Sequence, residues 1–366
     1  MRVMVSGGGT GGHVFPGIAV AREILKDPDS EVLFVGKKDG PEAQWLKEQG
    51  IPFAGIRSAG MPRRLSLRWF TFGIDVLRGW VQSNALVASF KPQVLFSTGG
   101  YVSFPACLAA FLRGIPVFLL EPNVMPGLAA KATALFARRI FIGFEETRSR
   151  FPEKRVRYTG IPVREEILAA ERGLALRAFG LSGEVPTVLV FGGSQGATHL
   201  NQAAADALRF IGEGTQPLQA ILMTGRNDYQ AIADTLEKCP LKVAMRQFIN
   251  NIHEAYAASD LVVSRAGAMT CAELTARGIP SILVPYPHAG AHQEANARAL
   301  ERAGAAVTIL ERDLEGEALA EALLSILQDA NRLEAMRESA KRAGRPGAAA
   351  EIVSVIRNEL EGRKAA

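Results

Sequence analysis

Two short stretches of this chain gather residue types that can do chemistry. The first is "GGGTGGHVFPG", residues 7–17, where Gly7-x-Gly9-x-x-Gly12 sets backbone N–H groups beside a helix start, a place for a phosphate. His13 closes that glycine run, and imidazole is the side chain best suited to accept a proton near neutral pH. A loop position at a strand's carboxyl end would aim it into a cleft. The structural alternative is that His13 caps the following helix, expected over residues 16–25. The second stretch is "SRAGAMTCAEL", residues 264–274. Its small residues let the backbone approach a ligand, while Thr270 and Glu273, three apart, share one face of a helix's first turn. There a carboxylate can accept both hydroxyls of a ribose while the helix N-terminus faces a diphosphate. Thr270-x-x-Glu273 is equally a capping box, the structural alternative.

The elements that must position these residues follow from hydrophobic patterning. Apolar runs at residues 3–6, 32–35, 94–97 and 117–120 read as buried strands alternating with amphipathic helices. The series then starts again, with strands at 188–191, 220–224, 261–264 and 282–284 and a second glycine loop, "GGSQGA", opening a helix. Such alternation predicts parallel sheets with ligand loops at the strands' carboxyl ends. A chain of 366 residues, 48% apolar, also exceeds the size comfortable for one core. The expected organisation is therefore α/β, with two Rossmann-like domains facing a central cleft, residues 1–160 and 161–345. The boundary falls in "TGIPVR", and residues 346–366 form a helix crossing back onto the first domain.

Composition narrows the function classes. A net charge of +5 suits an anionic membrane face or a phosphorylated substrate and is too small to argue for nucleic acid. Cys107, Cys239 and Cys271 are odd in number and scattered, which points to reduced thiols in a cytosolic compartment. Neither a signal peptide nor a membrane span is expected, so membrane contact would be peripheral. A dinucleotide site needs an acidic residue about twenty residues past its glycines. Here the second strand ends in Gly36-Lys37-Lys38, so an NADP enzyme, with lysines on a 2′-phosphate, is only a runner-up. No G-K-[ST] follows the loop. Asp27-Pro28-Asp29 matches the metal-holding D-x-D of many sugar transferases but lies where Asp and Pro make turns. His288 and His292 lack a third ligand.

In one order along the chain come "GGTGGHVFPG", "STGGYVSFPA", "FGGSQGA", "FINNI", "SRAGAMTCAEL", "GIPSILVPYP" and "HAGAHQEANA". With these motifs nearly the whole chain resembles the MurG family, UDP-N-acetylglucosamine (UDP-GlcNAc) N-acetylglucosaminyltransferases acting on lipid I in peptidoglycan synthesis. The resemblance implies a GT-B glycosyltransferase fold, an acceptor-binding, membrane-associating first domain and a donor-binding second one. It brings Thr10, Gly11, Gly12 and His13 to the cleft, with Asn123 from "EPN". Arg164 should lie beside the diphosphate and Ser194 should act with its loop amides. Ile249 should meet the uracil through its backbone. Ala268, Met269, Thr270 and Glu273 should bind diphosphate, sugar and ribose, with Glu273 on the ribose, and Gln293 should bind hydroxyls of the transferred sugar. Tyr101 is a further cleft candidate, with a packed loop aromatic as its structural alternative. The family usually reads His-Glu-Gln-Asn where this chain has Leu120-Glu121-Pro122-Asn123, which leaves Glu121 as second choice of base behind His13.

The implied reaction removes the proton from the C4 hydroxyl of N-acetylmuramic acid (MurNAc). That oxygen attacks the anomeric carbon opposite UDP, giving a β-1,4 link with inversion. No cofactor or catalytic metal is expected, the diphosphate charge being met by Arg164 and helix termini. Expected partners are UDP-GlcNAc, lipid I, cell-wall synthesis proteins and an anionic membrane surface, with the protein peripheral on the cytoplasmic face. For that surface the candidate patch holds Arg63, Arg64, Arg68 and Arg78 among Leu65, Leu67, Trp69, Phe70, Phe72, Leu77 and Trp80, opposed only by Asp75. A sugar-nucleotide 2-epimerase on the same fold and a non-catalytic binding module are the competing classes.

Overall fold

The computed structural model describes residues 1–58, 60, 68–193, 196–214, 216–287 and 291–365. Seven parallel strands form a first sheet: β1 (Arg2–Ser6), β2 (Glu31–Lys37), β3 (Phe53–Ile56), β4 (Val94–Ser97), β5 (Val117–Glu121), β6 (Arg139–Ile142) and β7 (Val156–Tyr158). Their spatial order is β3-β2-β1-β4-β5-β6-β7. Six more, β8 (Thr187–Phe191), β9 (Gln219–Met223), β10 (Lys242–Arg246), β11 (Leu261–Ser264), β12 (Ser281–Leu283) and β13 (Ala306–Thr308), form a second parallel sheet ordered β10-β9-β8-β11-β12-β13. Both orders reverse direction beside their first strand, between β1 and β4 and between β8 and β11. In open α/β sheets ligands sit at that switch point, outside the strands' carboxyl ends. The central strands are buried on both faces, which is why they read as unbroken apolar runs. The sequence reading missed β3, β6, β7, β10 and β13. Four of these are the sheet edges, where half-exposed strands such as "KVAMR" and "VRY" lack the continuous apolar signal.

The chain divides into two compact units, Met1–Arg164 with Arg345–Ala366, and Glu165–Gly344. The first break thus lies past residue 160, because "GIPV" stays packed on the first sheet. Gly160 N donates to Ile142 O at 3.2 Å, and Ile161 and Val163 are buried. Within the first unit, the helices Gly11–Leu25 and Ala348–Ala365 cover one face of the sheet. Ile352, Val353 and Ile356 join Ile18, Ile24, Val3, Val5, Phe34, Phe96 and Phe118 in its core. Alternate residues Met4, Val35 and Leu95 face the helices Arg68–Phe90 and Phe104–Leu112 on the other side. In the second unit, Val188, Val190, Leu222 and Val263 pack under the helices Thr198–Gly212 and Gly316–Leu327.

Candidate active site

At the first switch point the helix expected to begin at residue 16 begins at Gly11, so His13 lies in its first turn rather than in a loop. It does not cap the helix. The N-cap is Thr10, exposed and without a side-chain cap bond, and Pro16 sits inside. The His13 Nδ1 lies 2.8 Å from Thr98 O, just past β4, so one hydrogen bond spans the switch point from β1's loop to β4's. Thr98 Oγ1 returns a bond to the His13 carbonyl at 2.5 Å, and a Cβ on Gly7 would collide with that hydroxyl. Gly99 and Gly100 both have positive φ, which favours glycine at each, and a Cβ on Gly100 would crowd the imidazole at 3.1 Å. Burial of the ring holds the His13 pKa below the ordinary imidazole value. Tyr101, next in the chain, is 38% exposed, and its hydroxyl approaches Gly9.

Glu121 ends β5 in a buried position, and burial pushes its carboxyl up to about 7 despite three N–H donors that pull the other way. Those donors are Asn123 N at 2.9 Å and Asn123 Nδ2 at 3.1 Å, both to Oε1, and Gly127 N at 3.3 Å to Oε2. Both oxygens therefore hold the loop after β5. Three of the Glu121 acceptor sites are thus committed to the loop, whereas among the described residues none hydrogen-bonds Nε2 of His13. Arg164 lies over the Phe15 ring at 4.5 Å, and Phe15 stacks on Trp45.

In the second unit the helix Ala268–Arg277 starts at the carboxyl end of β11, with Gly267 as N-cap and no side-chain cap bond. The capping box is therefore not formed. Thr270 is the third helical residue, Glu273 lies in the second turn, and no acidic residue stands in the first turn, so the helix's first N–H groups keep the partial positive charge that favours an anion. Glu273 is buried and accepts from the Tyr256 hydroxyl at 3.0 Å, which fixes its carboxylate. Ala268 and Thr270 are partly exposed and Met269 is buried. Ile249 N donates to the Met223 thioether at 3.3 Å, a weak acceptor. Gln293 Oε1 accepts from Tyr286 N at 2.9 Å. Ser194 and His288 lie outside the described residues.

Three polar residues that motif reading passed over shape these loops. Asn201, fully buried, donates from Nδ2 to Thr224 O at 2.7 Å and Asp228 Oδ2 at 2.8 Å, joining the second glycine loop's helix to the end of β9. Arg265 forks onto Glu311, which also meets His199 Nδ1 at 3.3 Å. Asn296 donates to Ala266 O at 3.2 Å, steadying the turn into the donor-side helix. Each meets its partner only through the fold. Asp27 does make a turn: its carboxylate accepts from Asp29 N and Ser30 Oγ.

Of the basic and aromatic patch, Arg63, Arg64, Leu65 and Leu67 lie outside the described residues, as do the Arg68 and Trp69 side chains. Trp80 packs against the core of the first unit. Phe70, Leu77 and Val81 are 74%, 60% and 54% exposed at helical spacing, with Arg78 exposed beside them. No helix among the described residues is long and apolar enough to cross a membrane.

Two doubly wound sheets, each with a glycine loop at its switch point, make a paired Rossmann-like framework, and sequence comparison places it among the glycosyltransferases. Residues 3–142 match the glycosyltransferase family 28 N-terminal domain and residues 187–352 the family 28 C-terminal domain; the chain belongs to this family. It is 40% identical, over 99% of its length and all of the relative's, to the UDP-N-acetylglucosamine–N-acetylmuramyl-(pentapeptide) pyrophosphoryl-undecaprenol N-acetylglucosamine transferase of Halothermothrix orenii. The enzyme of the same name from Listeria monocytogenes is 41% identical, with 97% of this chain and 99% of that one covered. Among solved structures, Acinetobacter baumannii MurG superposes with a TM-score of 0.78 at 28% identity, over 98% of this chain and 99% of that one. A UDP-GlcNAc 2-epimerase from Neisseria meningitidis shares the fold, with TM-score 0.71 at 16% identity over 98% and 100% of the chains. That likeness carries fold alone.

Proposed function

We infer that the protein transfers N-acetylglucosamine from UDP-GlcNAc to the C4 hydroxyl of MurNAc in the undecaprenyl-diphospho-muramoylpentapeptide, with inversion, producing lipid II. The observation that carries this reading is identity near 40% over the full length of relatives bearing that activity in their names. In the first unit, His13 takes the proton of the attacking hydroxyl at Nε2 while Thr98 holds Nδ1–H. Thr10, Gly11, Gly12, Tyr101 and Asn123 line the acceptor side, and Glu121 organises the loop that carries Asn123. In the second unit, Glu273 binds the ribose, Ile249 the uracil and Gln293 the transferred sugar. The N-terminus of the helix Ala268–Arg277, with Ser194 and Arg164, meets the diphosphate as it leaves. The acceptor's polyprenyl chain stays in the bilayer, so the Phe70, Leu77 and Val81 face docks on the cytoplasmic leaflet. Incubation with UDP-GlcNAc and a short-chain lipid I analogue tests the reading. UDP release that depends on acceptor is expected; epimerised sugar nucleotide, or binding without turnover, would refute it.

A further inference from the structure

The first glycine loop already holds an anion, and it belongs to the protein. Glu42, the first residue of the helix Glu42–Glu48, is fully buried. Its Oε1 accepts from Lys37 N at 2.7 Å, at the end of β2, and from Gly9 N at 3.3 Å, inside the glycine loop. Three glycines make room for this one side chain: Cβ atoms on Gly8, Gly36 and Gly40 would lie 2.4 Å from Oε1, 2.9 Å from Cγ and 2.1 Å from Oε2. Among the described residues Oε2 has no hydrogen-bond partner. In a dinucleotide enzyme the loop amides would face a pyrophosphate and the end of β2 would bear the acid that holds a ribose. Here a carboxylate carried on the next helix fills both places. It ties the loop leading into His13, and the Gly9 that Tyr101 approaches, to the neighbouring strand.

We propose that Glu42 is a positioning residue for His13: an internal anion that locks the first glycine loop in the shape presenting the imidazole, in place of a bound phosphate. The inference rests on His13 being the proton acceptor. It predicts that Glu42→Ala lowers kcat by about 10²-fold, the scale of a displaced catalytic group, with the donor KM unchanged within about twofold. Glu42→Gln keeps an oxygen for the two N–H donors and should restore kcat to within about tenfold of the parent. Nitrogen-15 spectra of the His13 ring should show the Nδ1–H tautomer weakened in Glu42→Ala and retained in Glu42→Gln. Gly8→Ala, which displaces the same carboxylate from the other side, should reproduce the loss and add little to Glu42→Ala. The proposal is overturned if Glu42→Ala keeps kcat within about threefold, if its His13 ring signals match the parent's, or if it costs the full factor again in a His13→Ala background. If His13→Ala itself proves nearly as active as the parent, the base assignment fails, and the ring signals still decide whether Glu42 positions the imidazole.

Discussion

Because Thr98 O can only accept, the His13 ring carries its hydrogen on Nδ1 and must take up a proton at Nε2. Protonation on acidifying removes that lone pair, and burial of the ring places the event below pH 6.5. The acid limb of kcat/KM is therefore expected below the ordinary imidazole range; a limb near 7 would transfer the role to Glu121, whose carboxyl burial pushes up to about 7. His13→Ala should lower kcat by about 10²-fold with little change in donor affinity, as initial rates at saturating donor would reveal. On the donor side, a contact made equally in ground and transition states raises KM when lost. Glu273→Ala should raise the UDP-GlcNAc KM by about 10–100-fold, the scale of a charge-assisted hydrogen bond, and the parent enzyme should prefer the normal donor to its 2′-deoxy analogue. Tyr256→Phe, which releases Glu273 Oε2, should act in the same direction by about 3–10-fold. Equal use of the two donors would take Glu273 off the ribose.

Two helices decide how the first unit is held together and what it touches. The helix Ala348–Ala365 is tied by the part-buried Glu359 to the exposed Arg138 and Arg139, and by Arg357 to Asp27 at the surface, and pairs with an exposed partner add little to stability. Its buried Ile352 and Ile356 outweigh them. Ile356→Ala should cost about 2–5 kcal/mol in chemical denaturation, and Glu359→Ala no more than about 1. On the helix Arg68–Phe90, changing Phe70 and Leu77 together to Glu should weaken binding to anionic vesicles at least about tenfold while a short-chain soluble acceptor is used normally. Unchanged vesicle binding would put the docking face elsewhere. The buried strands at the sheet centres were legible because an apolar run such as "TVLVF" of β8 has no other home than a two-sided core. The start of the helix at Gly11 was not, since glycines are poor helix formers and Pro16 looks like a first-turn proline. His13 and Glu273 stood out within their motifs, whereas Glu42, Thr98 and Asn201 act through hydrogen bonds that no spacing announces.

The whole molecule consists of two separately cored units, and the proposed donor contacts all belong to Glu165–Gly344 except Arg164, one residue before it. Saturating UDP at about 100 times its dissociation constant should stabilise the unit that binds it by about 2.7 kcal/mol. Hydrogen exchange is accordingly expected to slow on adding UDP at residues 192–201 and 264–277 and to stay unchanged in β2 and β3. Slowing confined to the first unit would overturn the donor assignment. The first unit is also discontinuous in the chain: Ile352 and Ile356, which complete its core, are made only after the entire second unit. At 5–20 residues per second the ribosome needs roughly 9–36 s to synthesise the intervening stretch of roughly 180 residues. During that interval the second unit can fold while the first sheet's face is covered only in part, by the helix Gly11–Leu25, so nascent chains should carry a chaperone-binding surface that disappears only when residues 348–356 emerge.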